Sequence, residues 1–381
     1  MTMAMDAAAM DAAELPATPC VVVDHGRLEA NLRRVQAIAD TNGVRLRPHV
    51  KTHKSVRIAG MQVAGGAVGI TAAKPGEALV FVEAGIRSVT VAYPVVDPDR
   101  IDGLLAAGRE RGAELRFIAD HPDGVAALAA AARRHGVSLP VLMKVDVGLH
   151  RIGVDPDGPA ALDVAGRIAA GPDLVFAGLI AHAGHAYGAS GPSAAADVAE
   201  AERLCLLGVA DRLARAGLRV DEISVGSTPT VLAQRDFTGL TEIRPGNYVF
   251  LDLTAVRLGV ATLDDVALSV HATVVGCTDR HAIVDAGSKV LSSDLGPHGT
   301  TGVSGFGRAF PAGGPFSGDG LVVEKLSEEH GFVRLAGAPI ERGTRLAIVP
   351  NHSCVVANLA TELVVMDGQG AWPVDARARV R

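Results

Sequence analysis

From Cys20 to about Leu258 the chain repeats one local pattern: a short β-branched run, then a longer run whose apolar residues recur at three- and four-residue steps. Val21-Val22-Val23 leads into a helical pattern from Gly26 to about Thr41, with Leu28, Leu32, Val35 and Ile38 on one face. Leu46 precedes a cationic run, and Gly69-Ile70-Thr71 precedes a helix around Glu77 to Ala84. The same pairing puts strands at 89–92, 115–118, 141–145, 176–180, 223–225 and 242–244, with helices over 99–111, 124–135, 160–169 and 193–217 between them. About eight such units predict a (β/α)8 barrel of TIM type, which typically needs roughly 250 residues, in preference to an open doubly wound sheet.

Beyond Leu258 the pattern changes to short strands punctuated by glycine, at 267–275, 282–284, 321–323, 332–335, 345–349 and 363–366, which reads as an all-β domain. The expected organisation is a barrel over 14–257, with 14–25 assignable to either part, and a β domain over 258–381. The alanine-rich stretch 1–13 has no basic segment or long apolar run and reads as a disordered tail, not a signal peptide. A net charge of -6 gives no reason to expect nucleic acid or an anionic membrane as partner, and no uncharged apolar stretch is long enough to span a bilayer, so a small-molecule substrate is the expectation. Cys20, Cys205, Cys277 and Cys354 lack a framework spacing, which points to a reducing compartment, the cytoplasm.

Of only six lysines, two stand in Arg47-Pro48-His49-Val50-Lys51-Thr52-His53-Lys54, where an early barrel strand ends. Barrel active sites lie at the C-terminal strand ends, and a lysine among cations is an amine whose lowered pKa suits imine formation. Taken alone the run is a basic surface loop; its companions change that reading. Val225-Gly226-Ser227-Thr228-Pro229-Thr230 and Arg244-Pro245-Gly246-Asn247-Tyr248 each follow a late strand, and their small residues let amides and hydroxyls converge on a phosphate. Arg151, in Gly148-Leu149-His150-Arg151-Ile152-Gly153, follows a middle strand, where a guanidinium facing a pyridine nitrogen would keep that nitrogen unprotonated. Together these predict pyridoxal 5'-phosphate (PLP) held as a Schiff base on Lys51. In the β domain, His352 and Cys354 are two apart after a strand; on an extended segment they would share one face and one divalent cation, with zinc favoured by the donor types.

In order and content these segments resemble the fold-type III PLP family of D-threonine aldolases, D-serine dehydratases and D-threo-3-hydroxyaspartate dehydratases, whose barrel is like that of alanine racemase. The resemblance spans nearly the whole chain, from Thr18-Pro19 through the motifs above to Val284-Asp285-Ala286-Gly287, Glu329-His330-Gly331 and Asn351 to Cys354. It implies that Lys51 carries the cofactor and Arg151 faces its pyridine nitrogen. Ser227, Thr228, Gly246 and Asn247 would hold the phosphate, and Tyr248 would contact it or face a partner subunit. His352 and Cys354 would bind zinc or manganese, and His182, in Ala181-His182-Ala183-Gly184-His185, would stand near the cofactor as a catalytic residue. The implied activity is a lyase on D-amino acids with a β-hydroxyl, in a homodimer. Two bond cleavages stay open: dehydration, with loss of the metal-bound hydroxyl, and retro-aldol cleavage to glycine and an aldehyde. A PLP-dependent racemase and a non-catalytic PLP carrier are the rival readings; the long β region and the His-x-Cys pair count against both.

Overall fold

The computed structural model describes residues 16–297, 300, 302–337 and 339–381; the tail expected over 1–13 lies outside them. The chain divides into two compact units, one holding the chain up to Asn31 with Val249–Arg377, the other Leu32–Tyr248 with Ala378–Arg381. Strand β1 (Cys20–Val23) belongs to the first, and helix α1 (His25–Thr41) carries the chain into the second.

The second unit alternates as the sequence pattern requires. Its strands are β2 (Arg45–Leu46), β3 (Ile70–Ala72), β4 (Ser88–Pro94), β5 (Glu114–Ala119), β6 (Leu139–Lys144), β7 (Leu174–Ile180), β8 (Ile223–Val225) and β9 (Glu242–Ile243). They are joined by α2 (Val56–Ala64), α3 (Pro75–Glu83), α4 (Pro98–Arg111), α5 (Pro122–His135), α6 (Ala160–Ala170), α7 (Pro192–Arg215) and α8 (Thr228–Ala233). The eight strands form one parallel sheet in the order β2-β9-β8-β7-β6-β5-β4-β3. Parallel bonding of the segment after β2 to β3, through His49 opposite Thr71 and Thr71 N donating to Pro48 O at 2.8 Å, closes it into a barrel. Local chemistry sets the helix limits: Asp97 and His121 accept from the amides two residues on, Pro98 and Pro122 start the first turns, and Gly112 and Gly136 end α4 and α5 in the left-handed conformation. Helix α2 carries no signal the sequence reading used.

In the first unit β10 (Leu268–Cys277), β11 (His281–Val284), β12 (Gly307–Pro311), β13 (Leu321–Leu326), β14 (Gly331–Arg334) and β15 (Arg345–Pro350) are followed by β16 (Glu362–Val365) and β17 (Gly370–Pro373). The order β11-β14-β13-β12-β15-β10, closed by pairing of β10 with β11, makes a six-stranded antiparallel barrel, extended by β1, β16 and β17. The fold is therefore a (β/α)8 barrel with an all-β domain. β12 and β17 fell outside the strands expected from sequence, because Gly-Arg-Ala-Phe-Pro and Gly-Ala-Trp-Pro are too short and glycine-punctuated to show a period of two.

The barrel interior is charged. Arg47 donates to Glu242 at 2.7 Å and to Ser88 at 2.8 Å, Arg45 and Arg116 both donate to Glu222 at 2.7 and 2.8 Å, and Ser224 donates to Glu242 at 2.6 Å. Arg244 completes the chain, donating to Ser224 Oγ at 2.5 Å and to the carbonyl of Ala181. Buried ion pairs survive when every charge is matched and hydrogen-bonded; here strands far apart in sequence supply the matches.

Candidate active site at the barrel mouth

The predicted site residues of the barrel all follow strand C-termini. Lys51 comes after β2, Arg151 after β6, His182 after β7, Ser227 and Thr228 after β8, and Gly246, Asn247 and Tyr248 after β9. Lys51 is half-buried, and its charge acts on both His49 and His182. The cationic cluster read around it in the sequence is dispersed, because its members point into different pairings. Arg47 turns inward to Glu242, and Lys54 Nζ lies 2.6 Å from Glu77 in a pair that is almost wholly buried. His53 is buried, its pKa driven down to about 3, by burial first. Besides Lys54, the cations that act with Lys51 on these histidines come from other strands: Arg244, Lys144 and Arg151.

Two imidazoles face this lysine, and both are held neutral. Burial, then Lys51, then Lys144 depress His182 well below the ordinary histidine value. Its Nδ1 is 3.0 Å from the Gly226 carbonyl, an acceptor, so Nδ1 carries the hydrogen and Nε2 keeps the lone pair. Burial, then Lys51, does the same for His49, whose Nδ1 accepts from the Lys51 amide at 3.4 Å.

The late loops are tightly built. A Cβ on Gly246 would stand 3.1 Å from the His49 carbonyl, and one on Gly226, at φ +125, would stand 3.1 Å from the Arg244 amide. Only glycine lets these backbones approach each other around the mouth. Ser227 caps α8 in a reciprocal box with Thr230, while Thr228 Oγ1 accepts from the Tyr248 amide at 3.1 Å and so keeps its own hydrogen to donate. Tyr248 is 1% exposed, and its hydroxyl accepts from Gln62 of α2 at 3.0 Å. Arg151 lies on an exposed loop, its pKa lowered by partial burial.

Three interior groups escaped the sequence reading. By sequence alone Arg244 belongs to a glycine turn, Lys144 to a strand and Glu202 to a helix. Lys144 ends β6 and is 6% exposed; Glu202 of α7 is 1% exposed, with Oε1 accepting from the Ala183 amide at 3.0 Å. The one available signal was a charged residue in an otherwise apolar strand, as in Val141-Leu142-Met143-Lys144-Val145.

The other predicted pair sits in the β unit, and its local geometry differs from expectation. His352 is extended, but Cys354 lies in the first turn of a helix, α9 (Ser353–Leu359), so the shared face of an extended segment is not what joins them. The Ser353 amide donates to Asp252 at 3.0 Å, which fixes the start of that helix. Their side chains still meet: Cys354 bonds to His352, and His352 Nδ1 is 2.9 Å from Asp294 Oδ2. Burial opposes a charged imidazole here, yet Cys354, Asp294 and Asp252 outweigh it and raise His352 to about 10. Groups that hold an imidazolium so firmly have the charge and donor types to hold a divalent cation. Among the described residues no cluster of three or more such donors has metal-binding geometry, so the pair supplies a partial set.

A parallel barrel with a lysine, neutral imidazoles and glycine-lined loops at its mouth, joined to an antiparallel β domain, defines a cofactor-dependent enzyme of the alanine-racemase architecture. Comparison with known proteins agrees. The alanine racemase N-terminal domain family matches residues 23–254, and a serine dehydratase domain matches 267–366. A D-threo-3-hydroxyaspartate dehydratase of Delftia sp. (strain HT23) is 39% identical over 347 residues, 88% of this chain and 90% of the relative. A D-threonine aldolase of Arthrobacter sp. is 34% identical over 370 residues, 94% of this chain and 92% of the relative. The solved Delftia dehydratase superposes with a TM-score of 0.87 at 37% identity, covering 94% of this chain and 97% of that one. The chain belongs to the family of fold-type III PLP enzymes that comprises the D-threonine aldolases and the D-serine and D-threo-3-hydroxyaspartate dehydratases.

Proposed function

We propose that this protein is a PLP-dependent lyase that uses Lys51 to act on D-amino acids bearing a β-hydroxyl, with a divalent metal at His352 and Cys354. The convergence of Lys51, Arg151, His182, the Ser227-Thr228 turn and the Gly246-Asn247 turn at one end of one barrel carries this reading. The mouth suits PLP chemically. Lys51 offers the amine, the two turns offer backbone amides and the Thr228 hydrogen to a phosphate, and Arg151 offers a cation to the pyridine nitrogen.

When bound, the cofactor supplies an electron-accepting ring that stabilises negative charge at the substrate Cα. The chain supplies the proton chemistry. Lys51, whose amine would hold the cofactor, is the base for the Cα proton. His182 stays neutral at physiological pH and presents Nε2 as a fixed acceptor beside it. In the β unit a metal on His352 and Cys354 would supply Lewis-acid activation of a hydroxyl oxygen. A solved cysteine-to-alanine variant of a D-threo-3-hydroxyaspartate dehydratase is described as being in the metal-free form, a distinction in keeping with a metal in this family. In keeping with the family resemblance, we take the assembly to be a homodimer, and four cysteines that form no disulfide support a cytoplasmic site of action.

Between the two cleavages, the 39% identity to the dehydratase against 34% to the aldolase favours dehydration. Purified protein supplied with PLP and zinc or manganese is to be assayed with D-threo-3-hydroxyaspartate, D-serine and D-threonine. Keto acid with ammonia is expected. Glycine with an aldehyde would transfer the reading to retro-aldol cleavage, and inertness towards all three would overturn the substrate class.

A further inference from the structure

Lys144 stands apart among the buried cations of the barrel. Arg47, Lys54 and Arg116 each have a carboxylate within 2.8 Å. The side-chain amine of Lys144 has, among the described residues, neither a hydrogen bond nor an ion pair, although the residue is 6% exposed. Glu202, buried beside it, spends one oxygen on the Ala183 amide, and its Oε2 has no hydrogen-bond partner. An amine and a carboxylate thus lie close enough to act on each other's protonation without touching.

The surroundings explain why the amine is left open. Strand alternation gives Lys144 the same inward direction as Leu142, which packs with Ile118 and Ile180. The charged and titratable groups acting on Lys144 are Arg244 after β9, Glu202 of α7, and Arg151 and Asp146 of the loop after β6; Lys144 acts in turn on His182 after β7. With Lys144 charged, the set holds three cations, Lys144, Arg244 and Arg151, against the two carboxylates of Glu202 and Asp146, and an ammonium without an acceptor is costly to bury. Burial first, and Arg244 next, bring Lys144 down to about 7. A group so placed is short of one anion.

We infer that Lys144 is a positioning residue that takes up a proton from solvent when an anionic ligand enters the barrel mouth, its ammonium becoming a counter-charge for that ligand. The inference rests on the PLP reading, because PLP is the anion expected there. No bond to Lys144 forms; one proton moves from solvent to Nζ. Above neutral pH the empty protein holds the amine uncharged, so binding draws in a proton. Below it the proton is already present and binding draws none.

The test is calorimetric titration of the cofactor-stripped protein with PLP in buffers of differing ionisation enthalpy, comparing wild type with Lys144→Met. At pH 8.5 wild type is expected to take up close to one more proton per PLP than the variant, and the two should converge at pH 6. Methionine keeps most of the length of the side chain and removes a buried charge, so the variant is expected to fold; far-ultraviolet circular dichroism checks this. Visible absorbance of bound PLP separates two failures. No visible band in wild type sinks the PLP reading, whereas a normal band with equal proton counts in both proteins at both pH values sinks the role of Lys144. Glu202→Gln supplies the second arm. It removes the carboxylate that favours the charged amine, so proton uptake should persist to lower pH; loss of uptake in this variant would move the proton to Glu202 and overturn the assignment.

Discussion

At the scale of single residues, the barrel trades apolar packing for matched charge, and each pair has a measurable cost of separation. Glu77 accepts from Lys54 at 2.6 Å and from the Ala73 amide at 2.8 Å, both beside the loop that carries Lys51. Glu77→Gln leaves a buried ammonium without its counter-charge, so a loss of about 3–5 kcal/mol is expected from urea unfolding, with weaker PLP binding. A stability change under about 1 kcal/mol would mean that Lys54 escapes to water. Lys51→Ala should abolish the visible absorbance of bound PLP while leaving the fold intact, and a persisting band would assign the Schiff base to another amine. Lys51 and its phosphate turns were legible because each motif is contiguous. Its working neighbours were not, because pairings such as Arg47 with Glu242 join residues 195 positions apart, and a local hydrophobic pattern carries no record of which charges meet.

At the scale of elements, the strand and helix succession was readable from Cys20 onward because hydrophobic period and turn residues agreed. It failed where an element was short or its signal was stereochemical. The helical turn that starts at Ser353 is one case: Asp252, about a hundred residues upstream, caps it, and no local pattern announces that. Strand β7 holds another. Gly178 lies at φ +141, and a Cβ there would stand 2.1 Å from the carbonyl of Glu222, the residue just before β8. Gly178→Ala must part β7 from β8 or strain the backbone, at an expected cost of about 2–4 kcal/mol. Because Arg116 and Arg45 both rest on Glu222, the damage should also reach the site, read as reduced PLP affinity. Wild-type stability in this variant would show that the two strands are not held as closely as described.

At the scale of the whole molecule, buried histidines set a limit on acid tolerance in both units. His53 in the barrel unit and His271 in the β unit are driven down to about 3 and about 4, in each case by burial first. The unfolded chain takes up these protons near pH 6.5 and the folded chain only at its lower values, so stability is complete above 6.5 and falls as the pH drops. At about 1.4 kcal/mol per pH unit for each group, roughly 2 kcal/mol per histidine should be lost between pH 6.5 and 5. Urea midpoints at pH 7.5 and 5.0 check this, and equal midpoints would count against it. Metal removal offers a complementary test: exhaustive chelation should abolish turnover and leave the visible absorbance of PLP on Lys51 unchanged. Full activity in chelated protein would remove the metal from the reaction.

The charged lining of the barrel also bears on how this sequence can drift. Arg47 with Glu242, and Arg45 and Arg116 with Glu222, are linked across strands, and Ser224 and Arg244 extend the first pair towards the mouth. Exchanging one of the buried members, Arg47, Arg116, Glu222 or Glu242, for an apolar residue leaves its partner short of a counter-charge away from water, whereas Arg45 is half-exposed. Descendants of this chain should therefore keep these positions fixed or exchange them two at a time, and a designer recolouring the lining would have to begin from compensated doubles.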